Sequence, residues 1–323
     1  TMIGSIKNLI AIFLYKIGLL ELIMSTRLRN KAIVLMYHRI LTDGNEMALQ
    51  PGMYVSKDTF EKHVKYLKKR FDLISLTELV IRIRNKQDVS KCCIITFDDG
   101  WRDSYENAFP ILKENGAAGT IFLTTGFMNS SRSLWFEEVS ASFSANLRGC
   151  LKIVEDSSLF KNIGINSQER LTSIVDKVVS KMKSINPEER EEILTKLHGL
   201  NASSKNGYTT MMEWDHAREM LDSKLIDFGA HTVNHVILDQ VNTETAKIEI
   251  LESIKEVKEQ LNVEMKLFSY PNGTFNNQIV SILKENDFDC AVTTQRGYVD
   301  HGVELMQIPR ISVHEDISCI LPR

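Results

Sequence analysis

Among its five cysteines (Cys92, Cys93, Cys150, Cys290 and Cys319) the chain has no CxxC pair. Their odd number and wide spread suggest neither a disulfide framework nor a thiolate zinc site. A reducing, cytoplasmic setting is the expectation. Cys92 and Cys93 sit inside an apolar run and read as small core residues rather than reactive thiols. A basic excess is missing too: 39 Lys and Arg stand against 42 Asp and Glu, for a formal net charge of -3, and nothing argues for nucleic acid. The sequence has no internal repeat and no low-complexity tract. Nor does an apolar run reach membrane-spanning length. LIAIFLYKIGLLELIM, residues 9 to 24, carries Lys16 and Glu21 and falls short of the ~20 residues a span needs. No small-residue cleavage site follows it, and Arg27, Arg29 and Lys31 flank its end. The expectation is an amphipathic helix over residues 1–30, resting on the inner face of a membrane with its basic flank at anionic head groups. Packing on the protein body, or in a dimer contact, is the alternative.

What remains is ordinary soluble composition, 43% hydrophobic and 25% charged over 323 residues, enough for one large α/β domain or two smaller ones. KAIVLMYHRI has a β-branched apolar centre and reads as a buried strand ending at His38 and Arg39. SKDTFEKHVKYLKKRF follows as a helix with Ser56 as cap and Phe60, Val64 and Leu67 on one face. DLISLTELVIRIRN adds a strand and a helix with Thr77 as its expected cap, then CCIITF a strand, a helical stretch interrupted at Pro110, and TIFLTT a strand. This alternation predicts a parallel sheet or barrel. From about residue 140 to 207 helical signals dominate, which reads as an insertion with NASSKNG as its exit loop. A helix, LIDFGA, a long amphipathic helix, KLFSYPNG, NQIVSILKEN, DCAVTT and ELMQIPRISV carry the alternation on.

Functional groups in such folds gather at the C-terminal ends of parallel strands. ITFDDG ends one at Asp98 and Asp99, IDFGAHTVNH one at His231 and His235, and LFSYPNG one at Tyr270 to Gly273. Alternation along a strand lets Asp98 and Asp99 take separate tasks, one carboxylate on a metal and the other toward a substrate. A cation would also ease the repulsion between them. His231 and His235, four apart, share a face if the chain enters a helical turn there. Two imidazoles and a carboxylate suit zinc, or a similar divalent ion, with a position left open. Read singly, DDG can be a turn that caps a helix, and HTVNH can be capping or core histidines.

Together, TFDDG and HTVNH resemble the polysaccharide deacetylases, the NodB-homology carbohydrate esterases. LMYHRI, the YPNG turn, LTTGFM followed by LW, and the order of these segments are similar to the bacterial subgroup acting in surface-polysaccharide assembly. The likeness runs from about Lys31 to Val313, leaving out the N-terminal helix and the insertion. It implies a distorted (β/α) barrel of about seven parallel strands over residues 31–323. The implied activity is metal-dependent hydrolysis of the N-acetyl group of an N-acetylhexosamine, in a surface polysaccharide such as lipopolysaccharide or capsule or in its lipid-linked precursor. By position, Asp98 matches the general base, Asp99 the metal-binding aspartate, and His231 and His235 the metal-binding histidines. The ion is zinc first, then cobalt, nickel or manganese. In that mechanism the base deprotonates a metal-activated water that attacks the acetyl carbonyl.

The general acid departs from the family pattern, which has a histidine in a late apolar strand. His38 matches the arrangement in circularly permuted members and is placed ahead of His314 in RISVHED. The arginine motif that orients the base is absent, FSYPNG standing in its place, so Arg310 or Arg39 is expected to supply that charge. Tyr270 is expected to offer its backbone N–H to the oxyanion, Pro271, Asn272 and Gly273 to shape the turn, and Trp135 to wall the acetyl methyl or a sugar face. Two other readings stand: a metal-dependent hydrolase of a small non-sugar amide or cyclic imide, and a catalytically silent member that binds glycan or a partner.

Overall fold

A computed structural model describes residues 26, 28–42, 51–165, 169–200 and 211–315. The helix expected over residues 9–24, the loop at 201–207 and Cys319 lie outside the described residues. The chain opens with β1 (Ile33–Tyr37), β2 (Arg39–Leu41), β3 (Tyr54–Ser56), α1 (Lys57–Lys68), β4 (Asp72–Leu73), α2 (Leu76–Arg84) and β5 (Cys92–Phe97). Then come α3 (Phe109–Asn115), β6 (Gly119–Leu123) and four helices in succession: α4 (Trp135–Ala145), α5 (Leu147–Asp156), α6 (Leu171–Lys183) and α7 (Pro187–Leu200). The remainder is α8 (Trp214–Asp222), β7 (Ile226–Ala230), α9 (Thr243–Leu261), β8 (Leu267–Ser269), α10 (Asn277–Glu285), β9 (Cys290–Val292) and β10 (Ile311–Ser312).

An eight-stranded sheet follows the order β10-β1-β5-β6-β7-β8-β9, with short β4 beside β5, and its pairings are parallel. Every residue of β1, β5 and β6 is buried. Strands covered on both faces explain the unbroken apolar runs. Cys92 and Cys93 lie in β5 as core residues. The sheet curls into a half-barrel, as expected. Its open seam is crossed by residues 308 to 312, since Ile308 bridges Val292 of β9 and Ile311 pairs with Leu35 of β1. Arg310 lies between those two contacts and is buried.

Local expectations are met in part. The Ser56 side chain accepts the Thr59 N–H, and α1 buries Phe60, Val64 and Leu67. The cap of α2 is Ser75, which accepts from the Glu78 N–H; Thr77 already lies inside the helix. Pro110 does not break its helix: the chain is helical from Arg102 to Asn115, and a π turn over Ser104–Ala108 lies just ahead of the proline, the local widening that accommodates a residue without an N–H. The helical stretch begins at Trp135, ahead of residue 140, and its last described helix ends at Leu200. These helices bury a core of their own around Phe143, Cys150, Val175, Val179 and Leu197, and this core also takes in Trp101.

Candidate active site

β5 delivers both aspartates. The strand ends at Phe97, Asp98 still donates its N–H to the Tyr37 carbonyl, and the chain then turns through left-handed Asp99 (φ 74°) and Gly100 (φ 84°). The turn sends the two side chains to different partners. Asp98 receives both Arg310 terminal nitrogens, Nη1 on Oδ1 and Nη2 on Oδ2, each at 2.7 Å. Arg310 is held in turn by the Thr293 carbonyl at 2.9 Å, Thr96 Oγ1 at 3.1 Å and Ser269 Oγ at 3.1 Å. Ser269 Oγ also donates to Asp98 Oδ2 at 3.3 Å. Burial, the largest single influence, would push the Asp98 carboxyl up, but the Arg310 guanidinium, helped by His231 and His38, brings the net shift downward.

Asp99 faces the histidines. His231 Nε2 and His235 Nε2 lie 3.3 and 3.2 Å from Asp99 Oδ1, and Trp101 Nε1 donates to Oδ2 at 2.9 Å. Burial opposes the charge of Asp99, yet the two imidazoles bring its pKa well below the ordinary value. His231 Nδ1 sits 2.7 Å from the Ser269 carbonyl. That oxygen can only accept, so Nδ1 carries a hydrogen, and Nε2 is the nitrogen left to face Asp99, donating to the carboxylate when protonated and able to ligate an ion when not. The pair does not arise from a helical turn: Thr232 (φ 65°) and His235 (φ 54°) are left-handed, and this loop brings the rings to 4.9 Å between centroids. Its shape is held by Glu249 of α9, which accepts the N–H groups of Val233 and Asn234 at 2.9 and 2.8 Å.

Asp99, His231 and His235 fit a divalent ion. One ligand atom from each lies within 4.8 Å of the others and all three residues are buried. Nε2 to Oδ1 distances of 3.2–3.3 Å set the three potential ligand atoms around one position. The Nδ1 bond to Ser269 and the indole bond to Asp99 are contacts of the kind that orient metal ligands.

These groups line a cleft of about 170 Å³ together with His38, Trp135, Phe136, Lys183, Tyr270 and Asn272, among others. His38 follows β1 directly. Burial lowers its pKa despite the nearby carboxylates Asp99 and Asp98. Trp135 opens α4 and meets Phe136 edge to face at 5.6 Å. His314 is not among the cleft residues, although Ser312 is. Of the two arginines expected near the base, Arg310 pairs with Asp98. Arg39 turns away to Asp103 (2.9 Å) and Glu137 (3.2 Å) and covers the Trp101 ring at 4.6 Å.

The turn after β8 departs from expectation at one atom. The Tyr270 N–H donates to the Val292 carbonyl at 3.3 Å and its hydroxyl to the Met306 carbonyl at 2.9 Å, so both of its donors are already engaged although the residue lines the cleft. Pro271 has no N–H, and that of Gly273 goes back to the Tyr270 carbonyl. Asn272, left-handed at φ 59° and lining the cleft, brings the turn's other amide. Sequence reading also passed over Trp101, Ser269 and Lys183. Trp101 was within reach, since it directly follows the DDG that needed an orienting partner.

The comparisons agree with this architecture. The family model for polysaccharide deacetylase matches residues 85–291, more than half of the chain. The chain belongs to the polysaccharide deacetylase family. It is 22% identical to the YxkH protein of Bacillus subtilis (strain 168) over 290 residues, covering 89% of this chain and 73% of YxkH. Among solved structures, Streptococcus pyogenes deacetylase PplD in complex with acetate superposes with a TM-score of 0.61 at 20% identity, over 90% of this chain and 95% of that one. IcaB from Ammonifex degensii gives 0.58 at 16% identity, over 90% and 95%. At such identities the likeness to solved structures concerns the fold.

Proposed function

We propose that this protein is a metal-dependent N-deacetylase that hydrolyses the acetamide of an N-acetylhexosamine in a bacterial surface polysaccharide or its lipid-linked precursor. The observation that carries the reading is one cleft holding an arginine-clamped carboxylate, Asp98, beside the Asp99–His231–His235 set. Asp99 and the two histidines would hold the ion, zinc first by the chemistry of the donors. When bound, it would supply Lewis acidity toward the acetyl carbonyl and ease ionisation of water. Asp98, kept ionised by Arg310, would take the proton of the attacking water, so it acts as base rather than ligand. The Asn272 N–H would face the oxygen where negative charge develops. His38 would deliver the proton that the amine needs to leave as the C–N bond breaks. A volume of about 170 Å³ lies below the ~300 Å³ at which drug-sized pockets begin, and suits an acetamido group with part of the ring bearing it.

The test is acetate release from N-acetylhexosamine substrates by protein loaded with zinc, cobalt, nickel or manganese, with Asp98→Asn as control. Release from none of them, or full activity in Asp98→Asn, would overturn the reading. The N-terminal segment adds a second proposal, that residues 9 to 24 rest on the inner face of the cytoplasmic membrane and bring the cleft to a lipid-linked sugar. No described helix is long and apolar enough to cross a membrane. Deleting residues 1–26 should reduce both partitioning to anionic vesicles and turnover of a lipid-linked sugar; if neither changes, the membrane role is wrong.

A further inference from the structure

Lys183 is the last residue of α6, far in sequence from every strand end, yet its side chain lines the cleft with Asp98, Asp99, His38 and His231. Its position is built. The Lys183 carbonyl accepts from Gln240 Nε2 at 2.5 Å, and Arg190 Nη1 ties the Met182 carbonyl (3.4 Å) to Gln240 Oε1 (3.3 Å). The Arg190 guanidinium also covers the Trp135 ring at 5.1 Å. Gln240 lies just beyond the His235 loop, so the end of α6 is pinned to the segment that carries the histidines. The ammonium stands 6.0 Å from the Phe136 ring centroid and, among the described residues, has no hydrogen bond or ion pair. Burial lowers its pKa, while the charges of Asp99 and Asp176 act against that.

Charge in the cleft is otherwise accounted for. Asp98 is met by Arg310, and Asp99 by its two histidines or the ion they would share. Among the described residues, Lys183 has only the carboxylates of Asp99 and Asp176 acting on it, without a direct ion pair, and a half-buried ammonium with no anion in contact is costly until a ligand supplies one. We infer that Lys183 recognises an anionic group of the substrate, a carboxylate or phosphate on the N-acetylated sugar or its immediate neighbour. This rests on the deacetylase reading and narrows its substrate class: the helical insertion equips the cleft for charged saccharides.

The test uses three probes: the neutral methyl glycoside of N-acetylglucosamine, N-acetylglucosamine 1-phosphate, and a disaccharide of glucuronate and N-acetylglucosamine. Acetate release and calorimetric binding are measured for wild type, Lys183→Met and Lys183→Arg. Wild type should favour one charged probe over the neutral one by about tenfold or more. The preference should collapse in Lys183→Met, survive in Lys183→Arg, and weaken with added salt. Whether phosphate or carboxylate wins identifies the source of the anion. Equal turnover of all three probes, or a preference untouched by Lys183→Met, would overturn the inference and leave the deacetylase reading standing. Lys183-dependent binding of a charged probe without acetate release from any would do the reverse. Neither release nor Lys183-dependent binding would sink both.

Discussion

Arg310 holds both carboxylate oxygens of Asp98 at 2.7 Å, across most of the length of the chain. The contact exists because residues 308 to 312 cross the seam of the half-barrel and bury Arg310 behind the end of β5. Ser269, hydrogen-bonded to both partners, stands where the family's arginine motif would begin. The charge that orients Asp98, the proposed base, comes from the closing segment, and a small hydroxyl residue at 269 leaves it room.

The first prediction concerns that pair. Removing one partner of a buried ion pair destabilises by about 3 kcal/mol or more, so Arg310→Met should lower unfolding free energy at pH 7 by that order. The sign with pH follows from Asp98. Its folded pKa is below the ordinary 3.8, so wild-type stabilisation is fully present above 3.8 and is lost as pH falls through the folded value. Without the guanidinium, burial would raise the carboxyl above 3.8, and protonation would then favour the folded state. The gap between wild type and variant should therefore narrow from pH 7 to pH 4 in denaturant titrations. A constant gap would show that Arg310 acts by packing.

Trp101→Phe tests the proposed metal centre. The substitution keeps an aromatic ring beneath Arg39 and against Phe136 but removes the indole N–H from Asp99 Oδ2. Loss of such an outer contact typically weakens metal affinity 10–100-fold. Competition with a chromophoric chelator should show a change of about that size for zinc, and His231→Ala a larger one. Unchanged affinity in Trp101→Phe would mean that Asp99 is oriented by its histidines alone.

The parts legible in the sequence and those hidden from it divide along a physical line. Buried parallel strands announce themselves as apolar runs, and DDG and HTVNH stand out because charge at such strand ends needs a reason. The geometry of HTVNH was not legible, since left-handed Thr232 and His235 replace the expected helical turn. The partner of Tyr270 N–H depended on β9, a strand distant from it in sequence. The choice between Arg310 and Arg39 turned on tertiary contacts, the seam for one and Asp103 with Glu137 for the other. Lys183 gave no local sign, because on α6 it reads as one more basic residue in a last turn.

For the proton donor, His38 and His314 separate by location. His38 lines the cleft and His314 does not. Removing a general acid lowers turnover by roughly 10²–10⁴-fold, so His38→Ala should lose kcat within that range with KM little changed. His314→Ala should stay within about twofold, on the order of 0.4 kcal/mol. Substrates with better leaving groups than an alkyl amine should lose less in His38→Ala. The opposite ranking of the two variants would move the acid to His314.

The turn that presents Asn272 gives the last prediction. Gly273 has φ 73°, and a Cβ there would come within 2.0 Å of Thr294 Oγ1 and 2.7 Å of Thr294 Cβ. Rotating the threonine relieves the first contact but not the second, and the left-handed backbone adds strain of its own. Gly273→Ala should cost about 2–3 kcal/mol and, by displacing Asn272, reduce kcat more than KM. The control is Gly199→Ala in α7, where a Cβ meets nothing within 4 Å. Relief of backbone freedom in the helix should there raise stability by about 0.5 kcal/mol. Thermal melts and acetate release read both variants. If Gly273→Ala melts like wild type and keeps its turnover, the turn does not hold the amide where the oxyanion forms.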